Sequence, residues 1–248
     1  MENRQINIVL TVLNEEKRIE QGMKILMDYL RDNPYINYII TIMDNGSTDR
    51  TAEMASAYCE QDSRITYKRI EEKGVGIAFK SAVEDNWSDY IGYMDIDMST
   101  DINALGITYR KFMEDETVDI VNASRYSKRS KLVGRSKVRN FISHVWIFML
   151  KKILGMKSDD SICGFKFFKK DVIEKLLRDS SDVEKGWFLI IEVLIRAERQ
   201  GYNIFQLPVT WVYNNQTKVN IAKVTMSYIK GIKRLRKSLR CNKGKYDE

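Results

Sequence analysis

The sequence predicts an α/β fold in which a mostly parallel central sheet is flanked by helices, with a basic amphipathic helix at the C-terminal end. Three observations predict it. Short β-branched apolar runs alternate with helically periodic segments through the first half, the pattern of βαβ units. Apolar residues make up 44% of 248, enough to bury a substantial core and to exclude wholesale disorder. The tail repeats Ile221, Val224, Tyr228, Ile232, Leu235 and Leu239 at steps of three and four, a helical seam surrounded by bases. No internal repeat, low-complexity tract or Pro/Gly linker interrupts the chain, so residues 1–218 read as one domain and 219–248 as its tail.

Taken in order, Ile6–Val12 is a short buried strand, and Glu15–Leu30 carries helical periodicity that ends before Asn33-Pro34. Tyr38–Met43 is a second strand, followed by a turn at Asn45-Gly46 and a helix from about Ser47. Ile65–Ile70 and Tyr90–Met94 are further strands, each followed by a helix, Val75–Val83 and Asn103–Met113. A long basic loop, Ser124–Arg139, then leads into a helix at Phe141. A Cys-Gly turn with Phe165–Phe168, helices at Val172–Leu177 and Trp187–Arg199, and a strand at Ile204–Val209 complete the domain.

The net charge of +7 is unevenly spread. Ile120–Ser158 and Arg199–Tyr246 contain no acid, and together they hold 21 of the 41 Lys and Arg residues. Two acid-free stretches on an otherwise acidic protein point to an anionic partner, against the plainer reading of two solvated helical faces. The tail's basic seam suits a bilayer interface, and it equally suits a cap on the domain. The segment Phe141–Lys152 repeats the theme with a bulky apolar face beside lysines. No helix-turn-helix, RNP or zinc-finger pattern supports nucleic acid as the anion.

The opening residues lack the basic and apolar regions of a signal peptide. The apolar stretches Phe141–Leu150 and Trp187–Ile195 fall short of the roughly 20 residues a bilayer span needs. Cys59, Cys163 and Cys241 match neither a disulfide framework nor a zinc site, and a reducing compartment is the simplest reading. The single histidine, His144, lies among aromatics with no acid nearby in sequence, which suits packing better than base catalysis.

In parallel sheets, ligands bind beyond the carboxyl ends of the strands. That rule selects Leu13–Glu16, Asp44–Asp49 and Asp95–Asp97, all containing carboxylates. Asp95-Ile-Asp97 follows an apolar strand, and period-two geometry points both acids the same way, as hard oxygen ligands for Mg²⁺ or Mn²⁺. Both could instead cap the following helix. Ser47 or Thr48 is explained as an N-cap, Asp49 as a first-turn acid, and Asn14 as a cap for its own helix; Asp44 is left unexplained. Gly74-Val-Gly76 before a helix resembles part of a phosphate loop, though its spacing fits neither the P-loop nor the dinucleotide fingerprint.

Together these segments resemble the inverting family 2 glycosyltransferases of GT-A fold, especially the dolichyl- or polyprenyl-phosphate glucose and mannose synthase branch. The resemblance covers nearly the whole chain in the right order. It implies a nucleotide-binding half, 1–117, and an acceptor half, 118–218. Leu13, Asn14, Glu15, Asp44, Gly74 and Asp95 fall at its nucleotide positions, and Asp95 and Asp97 at its metal and diphosphate motif. Ala123-Ser-Arg125-Tyr126 is similar to its Ser-Arg-Tyr, making Arg125 the candidate cation on the diphosphate. Asp160-Ser-Ile-Cys-Gly164-Phe165-Lys166 matches its Asp-x-x-Cys-Gly-Phe-Lys, Glu192 its Glu-Leu-Leu, and Gln216-Thr217-Lys218 its Gly-Ser-Lys. Three positions depart: Thr11 replaces a proline, Val75 a lysine, and Ile190 the aspartate of glucose-type members.

The implied activity is metal-dependent inverting transfer, with Asp97, Arg125 and Glu192 in catalytic positions. A hexose would pass from a UDP- or GDP-sugar to a polyprenyl phosphate at the cytoplasmic face of the membrane. Lys131, Arg135, Arg139, Asp160 and Lys218 would hold the acceptor, and the basic helices would make the protein peripheral. A homo-oligomer is left open. A phosphate acceptor needs no strong base, whereas a glycan or protein hydroxyl in the cytosol would need Glu192 or Asp160. A non-catalytic nucleic-acid-binding protein is the third reading, opposed by three carboxylate clusters at the ligand edge.

Overall fold

A computed structural model describes residues 4–213 and 221–241. In chain order the elements are β1 (Ile6–Val12), α1 (Ile19–Asp32), β2 (Tyr38–Asp44), α2 (Thr51–Gln61), β3 (Ile65–Arg69), α3 (Val75–Glu84), β4 (Tyr90–Met94), α4 (Asn103–Glu114) and β5 (Ile120–Ser124). They continue with β6 (Lys131–Val133), α5 (Lys137–Leu154), β7 (Phe165–Lys169), α6 (Lys170–Asp179), α7 (Trp187–Arg199), β8 (Ile204–Pro208), β9 (Thr210–Val212) and α8 (Ile221–Cys241).

Seven strands form one sheet in the order β3-β2-β1-β4-β7-β5-β8. All neighbours are parallel except β7, which runs antiparallel to both β4 and β5. Side-chain alternation assigns the faces. Ile6, Ile8, Leu10 and Val12 of β1 enter the layer with α1, α2 and α4, while Val9 enters the opposite layer with α3, α6 and α7. β1 lies between β2 and β4, so the chain reverses its direction of travel across the sheet there. The carboxyl ends of β1 and β4 therefore meet at the crevice where such sheets place ligands.

The long basic segment is not all loop. Lys131–Val133 is β6, which pairs in parallel with β9, and Arg139 already lies in the first turn of α5. Two expected caps are also absent. α2 begins after Arg50 with no side-chain cap, because Asp49 Oδ1 accepts from the Thr51 N–H at 3.0 Å. α1 begins only at Ile19, with Arg18 at its N-cap, while Asn14 takes a left-handed backbone (φ 56°).

The basic tail is a cap. Tyr228, Ile232, Leu235 and Leu239 are buried in a third cluster with Trp146, Leu150 and Leu154 of α5 and Phe188, Ile191 and Ile195 of α7. Each such side chain gains about 1.5–3 kcal/mol on burial. Of the two surfaces that the seam suits, a bilayer or the domain itself, the buried residues of α8 meet the domain. No described helix is long and apolar enough to cross a membrane.

Candidate active site

A cavity of about 490 Å³ opens at the carboxyl ends of β1 and β4, within the usual range for small-molecule sites. Leu13, Asn14, Glu15, Asp95, Asp97, Arg125, Arg135 and Arg139 line it, so eight of the residues singled out from sequence converge.

Asp95 follows β4 directly. Its N–H donates to Gly164 O (3.1 Å), and Met98 N–H returns to Asp95 O (3.2 Å), closing a turn that presents both carboxylates. Gly164 is required by close approach, since a Cβ there would collide with the Asp95 carboxylate. Asp97 Oδ1 accepts from Ser99 N–H at 3.0 Å, and its Oδ2 stands 3.8 Å from Arg18. Arg18 also donates to Glu15 Oε1 at 2.7 Å.

Burial first, then the adjacent Asp97, pushes the Asp95 carboxyl from 3.8 up to about 7, against the opposing pull of Lys166 and Arg125. A cavity-facing acid that resists ionisation for these reasons fits a bound cation. Among the described residues no group of three or more Asp, Glu, His or Cys side chains could hold an ion by itself. Two carboxylates suit an octahedral ion that takes its other ligands from water and phosphate oxygens.

The same shift has a consequence for stability. The folded state keeps a proton on Asp95 that the unfolded chain has lost, so stability falls as pH rises from about 4 to about 7. Asp95→Asn should flatten that part of the curve, measured by urea unfolding across the range without metal. An unchanged slope would remove the assignment.

Three further arginines line the cavity. Arg125 is buried and donates through Nε and Nη2 to Asp160 at 2.7 and 3.0 Å. Burial opposes both charges, but each holds the other: Asp160 stays below the usual carboxylate range and Arg125 above its ordinary value. Burial and then Arg125 lower the pKa of Arg135. Arg135 Nη2 donates to Ser143 Oγ at 2.7 Å, while its buried Nε and Nη1 have no partner among the described residues. Guanidinium groups stack on an aromatic ledge, with Arg125 and Arg135 at 5.6 and 5.3 Å from the Trp211 ring centre and Arg139 at 5.3 Å from that of Tyr213. A side pocket of about 130 Å³ shares Arg135 and Arg139, then continues between Ile142, Trp146, Ile162, Val224 and Tyr228.

Other expected residues lie elsewhere. Asp44 is fully buried, accepting from Ser47 N–H (2.7 Å) and Tyr67 OH (2.8 Å); Asn45, not Asp44, lines the cavity. The Ser47 hydroxyl meanwhile accepts from Asn14 N–H, so it ties β1's loop to β2's. Gly74 (φ 156°) lets the chain pass against the Lys185 carbonyl, and Val75 is the wall residue. Asp160 sits behind Arg125 and does not line the cavity. Lys131 is exposed on β6, and Lys218 lies outside the described residues. Glu192 is buried on α7, where its Oε1 accepts from Arg196 at 2.9 and 2.8 Å, and it is not among the residues lining the cavity. His144 is exposed, its ring 4.5 Å from that of Tyr126.

Arg18, Trp187, Trp211 and Tyr213 also line the cavity and were not anticipated. Trp211 and Tyr213 stand two apart, as one face of a strand requires, and that alternation was the available clue.

Comparison with known proteins follows the same chemistry. The family model described as Glycosyl transferase family 2 matches residues 7–177. Glycosyltransferase AglD of Haloferax volcanii is 27% identical over 221 residues, covering 88% of this chain, which spans 35% of that protein's length. A dolichyl-phosphate beta-glucosyltransferase, ALG5D, of Trichomonas vaginalis is 26% identical, with 88% and 68% of the two chains covered. Its Dictyostelium discoideum counterpart is 23% identical, with 95% and 75% covered. Among solved structures, glucosyl-3-phosphoglycerate synthase from Mycobacterium tuberculosis, in complex with Mn²⁺, UDP and glucosyl-3-phosphoglycerate, superposes with a TM-score of 0.68 at 17% identity, covering 95% of this chain and 80% of its own.

Proposed function

The chain belongs to glycosyl transferase family 2, and from that membership we propose that it transfers a hexose from a nucleotide diphosphate sugar to a polyprenyl phosphate. The reaction is inverting and takes place at the cytoplasmic face of a membrane. The observation that carries the acceptor class is the division of charge in the cavity. Among its lining carboxylates, Glu15 and Asp97 lie against Arg18, and Asp95 is coupled to both. Arg135 and Arg139 also line an apolar side pocket with no carboxylate in its lining.

Asp95 and Asp97 would hold Mg²⁺ or Mn²⁺, which would neutralise charge developing on the leaving diphosphate. Arg125, held by Asp160, supplies a fixed cation in the cavity lining that needs no reorganisation during reaction. Arg135 and Arg139, which line both the cavity and its side pocket, would attract the acceptor phosphate as two cations. An anionic phosphate oxygen attacks the anomeric carbon without surrendering a proton. A hydroxyl acceptor would need a base, and the two expected candidates, Glu192 and Asp160, are absent from the cavity lining and each is paired with an arginine.

The reading is supported by relatives named as dolichyl-phosphate glucosyltransferases and by a structural neighbour crystallised with UDP and Mn²⁺. Its test is transfer from UDP- and GDP-hexoses to a short-chain polyprenyl phosphate and, in parallel, to sugar hydroxyls. Arg135→Ala should raise KM for the phosphate acceptor by about 10–100-fold, the loss of one cation beside the phosphate, with little change in KM for the donor. Transfer to hydroxyls alone would overturn the proposal.

A further inference from the structure

The outer face of α5 is apolar, although its inner face is already committed to the core. Val138, Phe141, Val145 and Phe148 are 67%, 69%, 39% and 60% exposed. Their steps of three, four and three confine them to about 80° of arc at 100° per residue, a single stripe along the helix. Trp146, Ile147, Leu150 and Leu154 of the same helix are buried against α7 and α8. A helix at a protein surface ordinarily turns polar residues outward, so two apolar faces mean two partners.

The charges beside the stripe say which partner. Lys137, Lys151 and Lys152 are exposed on α5, and Lys152 Nζ lies 5.9 Å from the Phe148 ring centre. No acid occurs from Ile120 to Ser158; the nearest is Asp159, 3.7 Å from Lys151. A second copy laid on this face about a two-fold axis would bring the same bases together. An anionic bilayer surface complements them and accepts Phe and Val side chains below its headgroups. We infer that α5, not α8, is the membrane-docking helix, its stripe inserted shallowly into an anionic leaflet and its lysines at the headgroups.

The inference deepens the lipid-phosphate reading and rests on it for its purpose, yet its test is separate. The full chain is sedimented with vesicles of phosphatidylcholine alone and with about 30% phosphatidylglycerol added. Binding to the anionic vesicles is expected, weakened by salt, and reduced at least tenfold in Phe141→Ser/Phe148→Ser, whose melting temperature should be unchanged because both side chains are exposed. Equal binding by variant and parent, or no binding by the parent, would overturn it. So would a parent dimer that the double substitution dissociates, since the stripe would then be covered by a second copy. Transfer to a water-soluble short-chain phosphate, assayed alongside, should survive the substitution. Its absence from the parent, with vesicle binding intact, would sink the transfer reaction and leave the docking face standing.

Discussion

Asp97→Asn should reduce sugar transfer by at least about 10³-fold while leaving the fold intact, the several kcal/mol that a cation contributes to a leaving diphosphate. The fold survives because Asp97 makes one hydrogen bond inside its turn, to Ser99 N–H, and an Asn Oδ1 accepts it equally well. What would be lost is one of the two carboxylates proposed to hold the ion, and the charge that faces Arg18 at 3.8 Å. Single-turnover transfer, a thermal melt and Mn²⁺ calorimetry on the same preparation separate these effects. Undiminished transfer with unchanged Mn²⁺ affinity would remove the metal from the mechanism.

The second large effect is on stability. Asp160→Ala should cost about 3–5 kcal/mol, because it leaves the Arg125 guanidinium buried without its counter-charge. The pair's contribution also has a pH signature. Asp160 is held below the ordinary carboxylate range, so its stabilisation is present above the unfolded value of 3.8 and is lost as pH falls through the folded one. Urea unfolding at neutral and acid pH measures both. Replacing the pair with Arg125→Met/Asp160→Leu should be less destabilising than Asp160→Ala alone, since no buried charge is then orphaned. A double variant as unstable as the single one would show that Arg125 is held by packing instead.

Much of the candidate site was legible in the sequence because its positions are defined locally. An apolar run followed by Asp95-Ile-Asp97 states where a strand ends and which way its next acids face, and the structure keeps that strand at Tyr90–Met94. The same logic marked Asn14 and Glu15 behind β1. It failed at Asp44, one residue from the true wall residue Asn45, because the Ser47 N–H and the Tyr67 hydroxyl draw that carboxylate inward. Arg18 was hidden because it precedes a helix whose start was placed too early. Trp211 and Tyr213 were hidden because β9 is only three residues long, and its partner β6 lies about 80 positions earlier in the chain.

The tail shows the same limit. Its periodicity announced an amphipathic helix, and nothing in that periodicity distinguished a bilayer from Trp146 and Phe188 as the surface that receives it. The sequence by itself determined the strands other than β5, β6 and β9, and the acids at the carboxyl ends of β1 and β4, since hydrogen bonding and side-chain alternation act over a few residues. Only the tertiary structure decided which charges are spent on each other, as Glu192 on Arg196 and Asp160 on Arg125, and which apolar face stays bare on α5. Coulomb attraction and burial depend on distance in space, and those distances are set by segments far apart in the chain.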